Sequence, residues 1–334
     1  MKRIFSGIQP TGNITLGNYL GAIQNCVKLQ NEASCDCIFC VVDQHAITVR
    51  RNTGALKRST QETAACLISA GIDPKNSILF NQSQVEEHIK LAWVLGCLTR
   101  VGWLNRMIQF KDKVGKSKDN ASAGLWCYPI LMAADILAYK ATHVPVGDDQ
   151  KQHIELARDI AHSYNFEFGT EFFPLPKAEI LSKSFRIMSL CDGRKKMSKS
   201  DSSDMSRINI TDNVDTIAYK IKKAKTDSYS LPSEASGLTG RAEAQNLITI
   251  YAALSNKSLD AAILEYGGCG FGRLKQDLTE LAIEVIRPIG LEISRLMSNT
   301  DYIDNVLEKG SVRARALSKP IVREVYDTIG FLST

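Results

Sequence analysis

Gly7-Ile8-Gln9-Pro10-Thr11-Gly12-Asn13-Ile14-Thr15-Leu16-Gly17-Asn18 is the stretch whose reading decides the fold. Ile4 to Ile8 is a short apolar run that reads as a strand, and Pro10 and Gly12 make a turn after it. Leu16, Tyr19, Leu20, Ile23 and Val27 then recur at helical spacing, which places an amphipathic helix directly behind the turn. A helix starting near Leu16 or Gly17 aims its free amides and positive dipole end into the loop, a setting that accepts phosphate. Gly17 lets a ligand approach the backbone, Thr15 and Asn18 add short polar side chains, and Gln9, Pro10 and Thr11 line the turn. No Gly-Lys-Ser/Thr follows, so this is not a P-loop. Alone, the stretch also suits an ordinary capped helix after a β-turn.

The same alternation continues downstream. Cys37 to Val42 is a continuous apolar run, as in a strand buried on both faces. Lys57 to Ala70 reads as a helix, Ser77 to Phe80 as a strand, Thr142 to Val146 as a strand and Gln150 to Tyr164 as a helix. Strands and helices in series predict an α/β fold, a Rossmann-like doubly wound parallel sheet with helices on both faces. Ligands of such sheets sit beyond the C-terminal strand ends, which selects the loops at 9–18, 43–48 and 147–150. The segment 82–140 interrupts the alternation with apolar helices and a polar loop from Lys111 to Asn120, and reads as an insertion of the kind that forms subunit contacts. After residue 200 strand signals largely stop. Val214 to Lys225, Ala242 to Ser255, Leu274 to Leu296 and Val312 to Ile329 read as helices, with Gly267 to Gly272 as a turn. The expected organisation is a catalytic domain over 1–195 with the insertion at 82–140, an all-helical domain over 196–290, and helices over 291–334 that pack back on the body.

Lys196-Met197-Ser198-Lys199-Ser200 lies where sheet gives way to helices. From average residue usage this pentapeptide arises by chance in about one chain in ten thousand of this length. Two lysines can neutralise a leaving pyrophosphate and two serines can bond its oxygens. Together with residues 9–18 the loop suggests a nucleotide gripped from two sides.

Composition allows this and excludes other classes. The chain has 334 residues, 44% hydrophobic, with 41 basic and 36 acidic residues and a net charge of +5. That permits a polyanionic partner without demanding one. No apolar run approaches the ~20 residues that cross a bilayer, and Met1-Lys2-Arg3 leads into a strand rather than a signal peptide, so a cytoplasmic protein with no membrane association is expected. Nine scattered cysteines then read as reduced. Cys35-x-Cys37-x-x-Cys40 has metal-like spacing, but Ile38-Phe39 and Val41-Val42 make it a buried strand, and no metal site is assigned.

Asp135 stands in a helix expected from about Pro129 to Tyr139 that is apolar nearly all round. An unpaired carboxylate there would cost several kcal/mol, so it must meet a donor. Tyr128, Met132 and Asp135 fall at i, i+4 and i+7, on one face. An aromatic wall, a thioether and one acceptor suit an indole, a flat ring with one N–H. A neighbouring protein donor would satisfy Asp135 equally well.

Thr15-Leu16-Gly17-Asn18 resembles a variant of the HIGH signature, and Lys196–Ser200 matches the KMSKS signature, of class I aminoacyl-tRNA synthetases. With Val42-Asp43-Gln44-His45-Ala46, Met132-Ala133-Ala134-Asp135-Ile136-Leu137, Val144-Pro145-Val146-Gly147-Asp148-Asp149-Gln150, Asn246–Tyr251 and Ile286–Ile289, the whole chain is similar to the bacterial-type tryptophanyl-tRNA synthetase family. Thr15 and Asn18 replace the signature histidines, and Asp148 stands where the family usually has Glu. The resemblance implies ATP as substrate with Mg²⁺ on its phosphates, L-tryptophan, tRNA(Trp) and a homodimer. Catalysis would rest on Lys196, Lys199, Gln9, Thr15, Asn18 and Lys111. ATP would meet Gln9, Pro10, Thr11, Gly17, Asn18, Gly147, Asp148, Asp149, Ile187, Lys196, Met197, Ser198, Lys199 and Ser200. Tryptophan would meet Asp135, Phe5, His45, Tyr128, Met132, Val144, Val146 and Gln150. The helical half would recognise the anticodon, with Lys220 to Lys225 as phosphate contacts. Tyrosyl-tRNA synthetase, or a nucleotidylyltransferase that works without tRNA, are the competing readings.

Overall fold

The computed structural model describes residues 1–10, 12, 14–48, 54–107, 122–147, 150–179 and 185–332. Five parallel strands form one sheet: β1 (Lys2–Ile8), β2 (Cys35–Val41), β3 (Ile78–Asn81), β4 (His143–Pro145) and β5 (Lys177–Glu179). Their order is β3-β2-β1-β4-β5. The chain winds outward from β1 in one direction, then returns to β4 on its other side. The reversal between β1 and β4 opens a crevice at the C-terminal strand ends, which is where such sheets bind ligands.

Pleating sends alternate residues to opposite faces. Ile4, Cys37, Phe39, Val41 and Leu79 enter one core, and Phe5, Ile38, Cys40, Ile78 and Phe80 enter the other. Burial on both sides accounts for the unbroken apolar run in β2. It also puts Cys37 and Cys40 on opposite faces, so they cannot converge on one ion. The first face is covered by Leu16–Asn18, the π-helical turn Tyr19–Ile23 and Gln24–Gln30, which run on as one helix, and by Ala55–Ser69. Helices Glu87–Leu98, Ala123–Leu137 and Lys151–Glu167 cover the second face. The segment 82–140 thus interrupts the strands and at the same time builds one layer of the core.

Three boundaries differ from the sequence reading. The Asp135 helix begins at Ala123, not near Pro129, because Ser122 caps it by accepting the Leu125 amide at 3.2 Å. Pro129 then sits inside the helix, where it has no N–H to offer the i−4 carbonyl. β5 carried no readable signal, being three half-polar residues. The last helix runs Asp301–Ile329, beginning well before Val312, with Asp301 and Asp304 in its first turn suited to the dipole.

After the sheet come Val214–Lys223, Ala242–Leu254, Leu259–Tyr266, Phe271–Ser298 and Asp301–Ile329. Ile217, Ile221, Leu247, Ile263, Leu274 and Ile286 extend the first core directly into this helical half. Asp301–Ile329 returns to the sheet and lies against β3. Gly310 makes that approach possible: a Cβ there would collide with the Leu79 carbonyl oxygen and stand 3.2 Å from the Phe80 Cβ. Gly310→Ala therefore forces the helix off the strand edge. Its unfolding free energy in urea should fall by about 3 kcal/mol, the upper range for overpacking.

Candidate active site

The helix start after β1 is fixed by a reciprocal cap. Thr15, extended at φ −91° and ψ 162°, accepts the Asn18 amide at 3.3 Å through its hydroxyl oxygen. Asn18 Oδ1 in turn accepts the Thr15 amide at 3.1 Å and the Thr15 hydroxyl at 3.0 Å. Thr15 is fully buried, so its hydroxyl shapes the turn and holds the exposed Asn18 in place. The Leu16 amide donates to the Ile208 carbonyl at 2.8 Å, and the Ile210 amide to the Ile14 carbonyl at 2.9 Å. Two helix-start amides expected to face a phosphate, those of Leu16 and Asn18, are thus engaged within the protein. The expected phosphate surface would thereby narrow to Gly17 and the flanking turn, where Gln9 is exposed and Gly12 adopts φ +89°.

The lysine loop reaches this turn from 180 residues away in sequence. Residues 187–197 double back, with the Met197 amide on the Ile187 carbonyl (3.0 Å) and the Ser189 amide on the Lys195 carbonyl (2.7 Å). Met197 and Ile187 are buried against Gly17, whose absent side chain leaves room: a Cβ would sit 3.4 Å from the Met197 Cβ and 3.6 Å from the Ile187 Cβ. Lys199 Nζ donates to the Gly12 carbonyl at 3.3 Å. Ser198 and Ser200 join their hydroxyls at 2.9 Å, and Lys196 is exposed. Gly17, Ile187 and Met197 therefore pack together, with Lys199 reaching the adjoining turn at Gly12.

On the other face of the sheet Asp135 is buried and surrounded by donors. Oδ1 accepts from Gln82 Nε2 (2.8 Å) and His88 Nδ1 (2.6 Å), and Oδ2 from His45 Nε2 (2.8 Å) and Gln82 Nε2 (2.9 Å). With His88 Nδ1 donating, its Nε2 accepts the Tyr139 hydroxyl at 2.7 Å. The donor that Asp135 requires is thus supplied by the protein, three times over. Burial alone would raise its pKa, but His45 and His88 more than offset that and hold the carboxyl below its usual range. Gln82, His88 and Tyr139 were not singled out from sequence. The available signal was Glu87-His88, a polar pair on the inward face of an apolar helix.

Phe5 stacks on Tyr139 at 5.7 Å between centroids, and His45 meets the edge of Tyr128 at 6.2 Å. Tyr128 bonds His153 Nε2 at 2.6 Å, and burial pushes its phenol up to about 12. Phe5 and Val144 belong to the second core, with Met132 and Val146 at its margin. The Gln150 amide bonds the Gly147 carbonyl at 3.0 Å, which places both at the end of β4. Thr11, Lys111, Asp148 and Asp149 lie outside the described residues.

Gln82 is positioned from both directions. Its side-chain oxygen Oε1 accepts the Gln44 backbone amide at 3.1 Å. Two residues on, Gln84 is gripped by the last helix: Ser311 donates to Gln84 Oε1 and Arg315 to the Gln84 carbonyl, each at 2.7 Å.

The family model of class I tRNA synthetases (W and Y) matches residues 1–285. The tryptophan–tRNA ligase of Agrobacterium fabrum is 52% identical over 98% of this chain and 98% of its own, and that of Rhizobium meliloti matches to the same extent. The chain belongs to the tryptophan–tRNA ligase family. Among solved structures, tryptophanyl-tRNA synthetase from Mycoplasma pneumoniae superposes with a TM-score of 0.89 at 32% identity, covering 100% of this chain and 99% of that one. The Campylobacter jejuni enzyme, solved with ADP and tryptophan, gives 0.82 at 33%, covering 98% and 100%. A tyrosyl-tRNA synthetase from Archaeoglobus fulgidus, at 18% identity, shares the fold.

One expectation for a tryptophan–tRNA ligase needs correction. Lys220 cannot serve as a tRNA phosphate contact, because it is buried and bonds Asp212 and Asp204, each at 2.6 Å. Lys222 and Lys223 are exposed, and Lys225 pairs with Glu243 at 2.8 Å.

Proposed function

We propose that this chain activates L-tryptophan with ATP and transfers it to tRNA(Trp). The reading is supported by two features that both follow C-terminal strand ends: a lysine-bearing loop seated on the glycine helix start after β1, and a buried acceptor bonded by His45 and Gln82, which follow β2 and β3. The tryptophan carboxylate attacks the α-phosphorus of ATP; the new O–P bond forms as pyrophosphate leaves. The attacking group is already ionised, so no general base is required, and positioning and charge stabilisation carry the rate. Lys196 and Lys199 face the developing pyrophosphate charge, with Gly17, Asn18 and Gln9 around the phosphates and Gly147 and Ile187 toward adenosine. Asp135 accepts the indole N–H in exchange for one of the protein donors that otherwise occupy it, in a wall made by Phe5, His45, Tyr128, Met132, Val144, Val146 and Gln150. The terminal ribose of tRNA then attacks the adenylate carbonyl through its 2′-hydroxyl, and AMP leaves. Among the described residues no three His, Cys, Asp or Glu side chains converge as a metal cage, so Mg²⁺ would be held by the ATP phosphates themselves.

Pyrophosphate exchange into ATP tests the reading. It should depend on tryptophan and not on tyrosine or phenylalanine, and tRNA(Trp) should then be charged. Exchange supported by tyrosine, or by no amino acid, would overturn it.

A homodimer in the cytoplasm completes the proposal. Among the described residues no helix is long and apolar enough to cross a membrane. The outward side of Glu87–Leu98 exposes Ile89 (49%) and Trp93 (73%) one turn apart, with Val101 (60%) beyond. Such a stripe suits a subunit contact. Trp93→Glu should weaken self-association by about thirtyfold or more in sedimentation equilibrium, as for a central aromatic anchor.

A further inference from the structure

Lys220 has 2% of its side chain exposed, the least of any cation among the described residues. Its ammonium lies 2.6 Å from Asp204 Oδ2 and 2.6 Å from Asp212 Oδ2. These two carboxylates bracket the segment that follows the lysine loop. Between them stands Asn209. Its amide donates to Asp212 Oδ2 at 2.9 Å, and its side-chain NH₂ donates to Asp212 Oδ1 at 3.2 Å and Asp204 Oδ1 at 3.1 Å. Asn209 forms the backbone bridge to Thr15, flanked by the Ile208–Leu16 and Ile210–Ile14 bonds. The same stretch is tied to the lysine hairpin, since the Leu190 amide bonds the Ser206 carbonyl (2.9 Å) and the Lys225 amide bonds the Leu190 carbonyl (2.8 Å).

One buried ammonium thus ties three things together: the helix Val214–Lys223 that carries it, the strap 204–212, and through the strap the capped helix start. Lys220 and Asp212 form the buried pair, while Asp204 is more than half exposed and also meets Arg207 at 3.1 Å; a buried pair is a weak stabiliser, because apolar side chains of similar volume commonly hold a fold as well. What it does supply is fixed direction: the Asp212 carboxylate must point inward, Asp204 must reach the ammonium from the surface, and Asn209 must sit between them.

We infer that Lys220 is a positioning residue for ATP activation, setting the register between the lysine loop and the Thr15–Asn18 helix start. The inference rests on the ligase reading. In that reaction the leaving pyrophosphate must span both parts, and a misplacement of about 1 Å can cost about 10²-fold.

The test compares Lys220→Met, Lys220→Arg and the charge-balanced Lys220→Met/Asp212→Asn with the parent in pyrophosphate exchange and urea unfolding. Absence of tryptophan-dependent exchange in the parent would sink the ligase reading itself, independently of Lys220. With the parent active, Lys220→Met should lose about tenfold to a hundredfold in kcat or in kcat/KM for ATP. Its KM for tryptophan should stay within about twofold. Lys220→Arg should recover most of the rate. The double variant should recover the urea midpoint and not the rate; it also carries the test if Lys220→Met alone does not fold. Rate and stability returning together in the double variant, equal losses toward ATP and tryptophan, or an unchanged rate in Lys220→Met would each overturn the assignment.

Discussion

Lys199→Ala slows tryptophan-dependent pyrophosphate exchange by about 10²–10³-fold, the usual cost of removing one preorganised charge-stabilising group, and leaves tryptophan affinity within about twofold. Lys199 already bonds the Gly12 carbonyl across the mouth of the turn. Its ammonium is therefore held near the place where pyrophosphate charge would develop, so little reorganisation is needed at the moment of reaction. Alanine leaves the turn in place, because Met197 and Ile187 still pack on Gly17. The loss should thus fall on the chemical step. Single-turnover formation of the adenylate measures it directly, with tryptophan affinity from equilibrium dialysis. An unchanged single-turnover rate would remove Lys199 from the mechanism, whereas equal damage to tryptophan binding would make it a structural residue.

Asp135→Ala should be harmful twice. The indole N–H loses its acceptor, and a site built on such a hydrogen bond separates substrates by about 10⁴–10⁵-fold. Selection against phenylalanine should therefore collapse by orders of magnitude, with ATP binding nearly intact. The structure adds a second cost. His45, Gln82 and His88 all donate to Asp135, and truncation leaves three buried donors without their acceptor. At about 1–3 kcal/mol for each unsatisfied group, unfolding free energy should drop by about 3 kcal/mol or more. Asp135→Asn does not avoid this, because its NH₂ turns a donor toward other donors. The acid side gives a further check. The folded carboxyl lies below its usual range, so its contribution to stability is present above the unfolded value and is lost as pH falls through the folded one. The midpoint of thermal unfolding should therefore fall less steeply with acid in Asp135→Asn than in the parent. A variant that keeps full stability but loses tryptophan would show that the donors find other partners.

Much of this arrangement was legible in the chain itself. The apolar run of β2 announced burial on both faces, and the 7–18 stretch announced strand, turn and helix. Local motifs also marked the two segments, 9–18 and 196–200, that the fold brings into contact. Asp135 could be picked out because a lone carboxylate in an apolar helix demands a partner. Its partners could not be named. His45, Gln82 and His88 come from three different elements, and only the strand order brings them to Asp135. Lys220 was misread for a related reason: three neighbouring lysines on a polar helix look like one solvated face, while the carboxylates that draw one of them inward lie 8 and 16 residues upstream. The amides of Leu16 and Asn18 were counted as free because the strap that occupies one of them lies 190 residues away.

The contact between the last helix and Gln84 bears on how the protein is made. Asp301–Ile329 leaves the ribosome after every strand, yet Ser311 and Arg315 on it secure the turn that aims Gln82 at Asp135. Domains generally assemble in order of synthesis, so a nascent chain would carry a finished phosphate turn well before a finished amino-acid pocket. Translation stalled near residue 300 should yield a chain that holds nucleotide but does not select tryptophan. Competence to load an amino acid then arrives only once Asp301–Ile329 has been made.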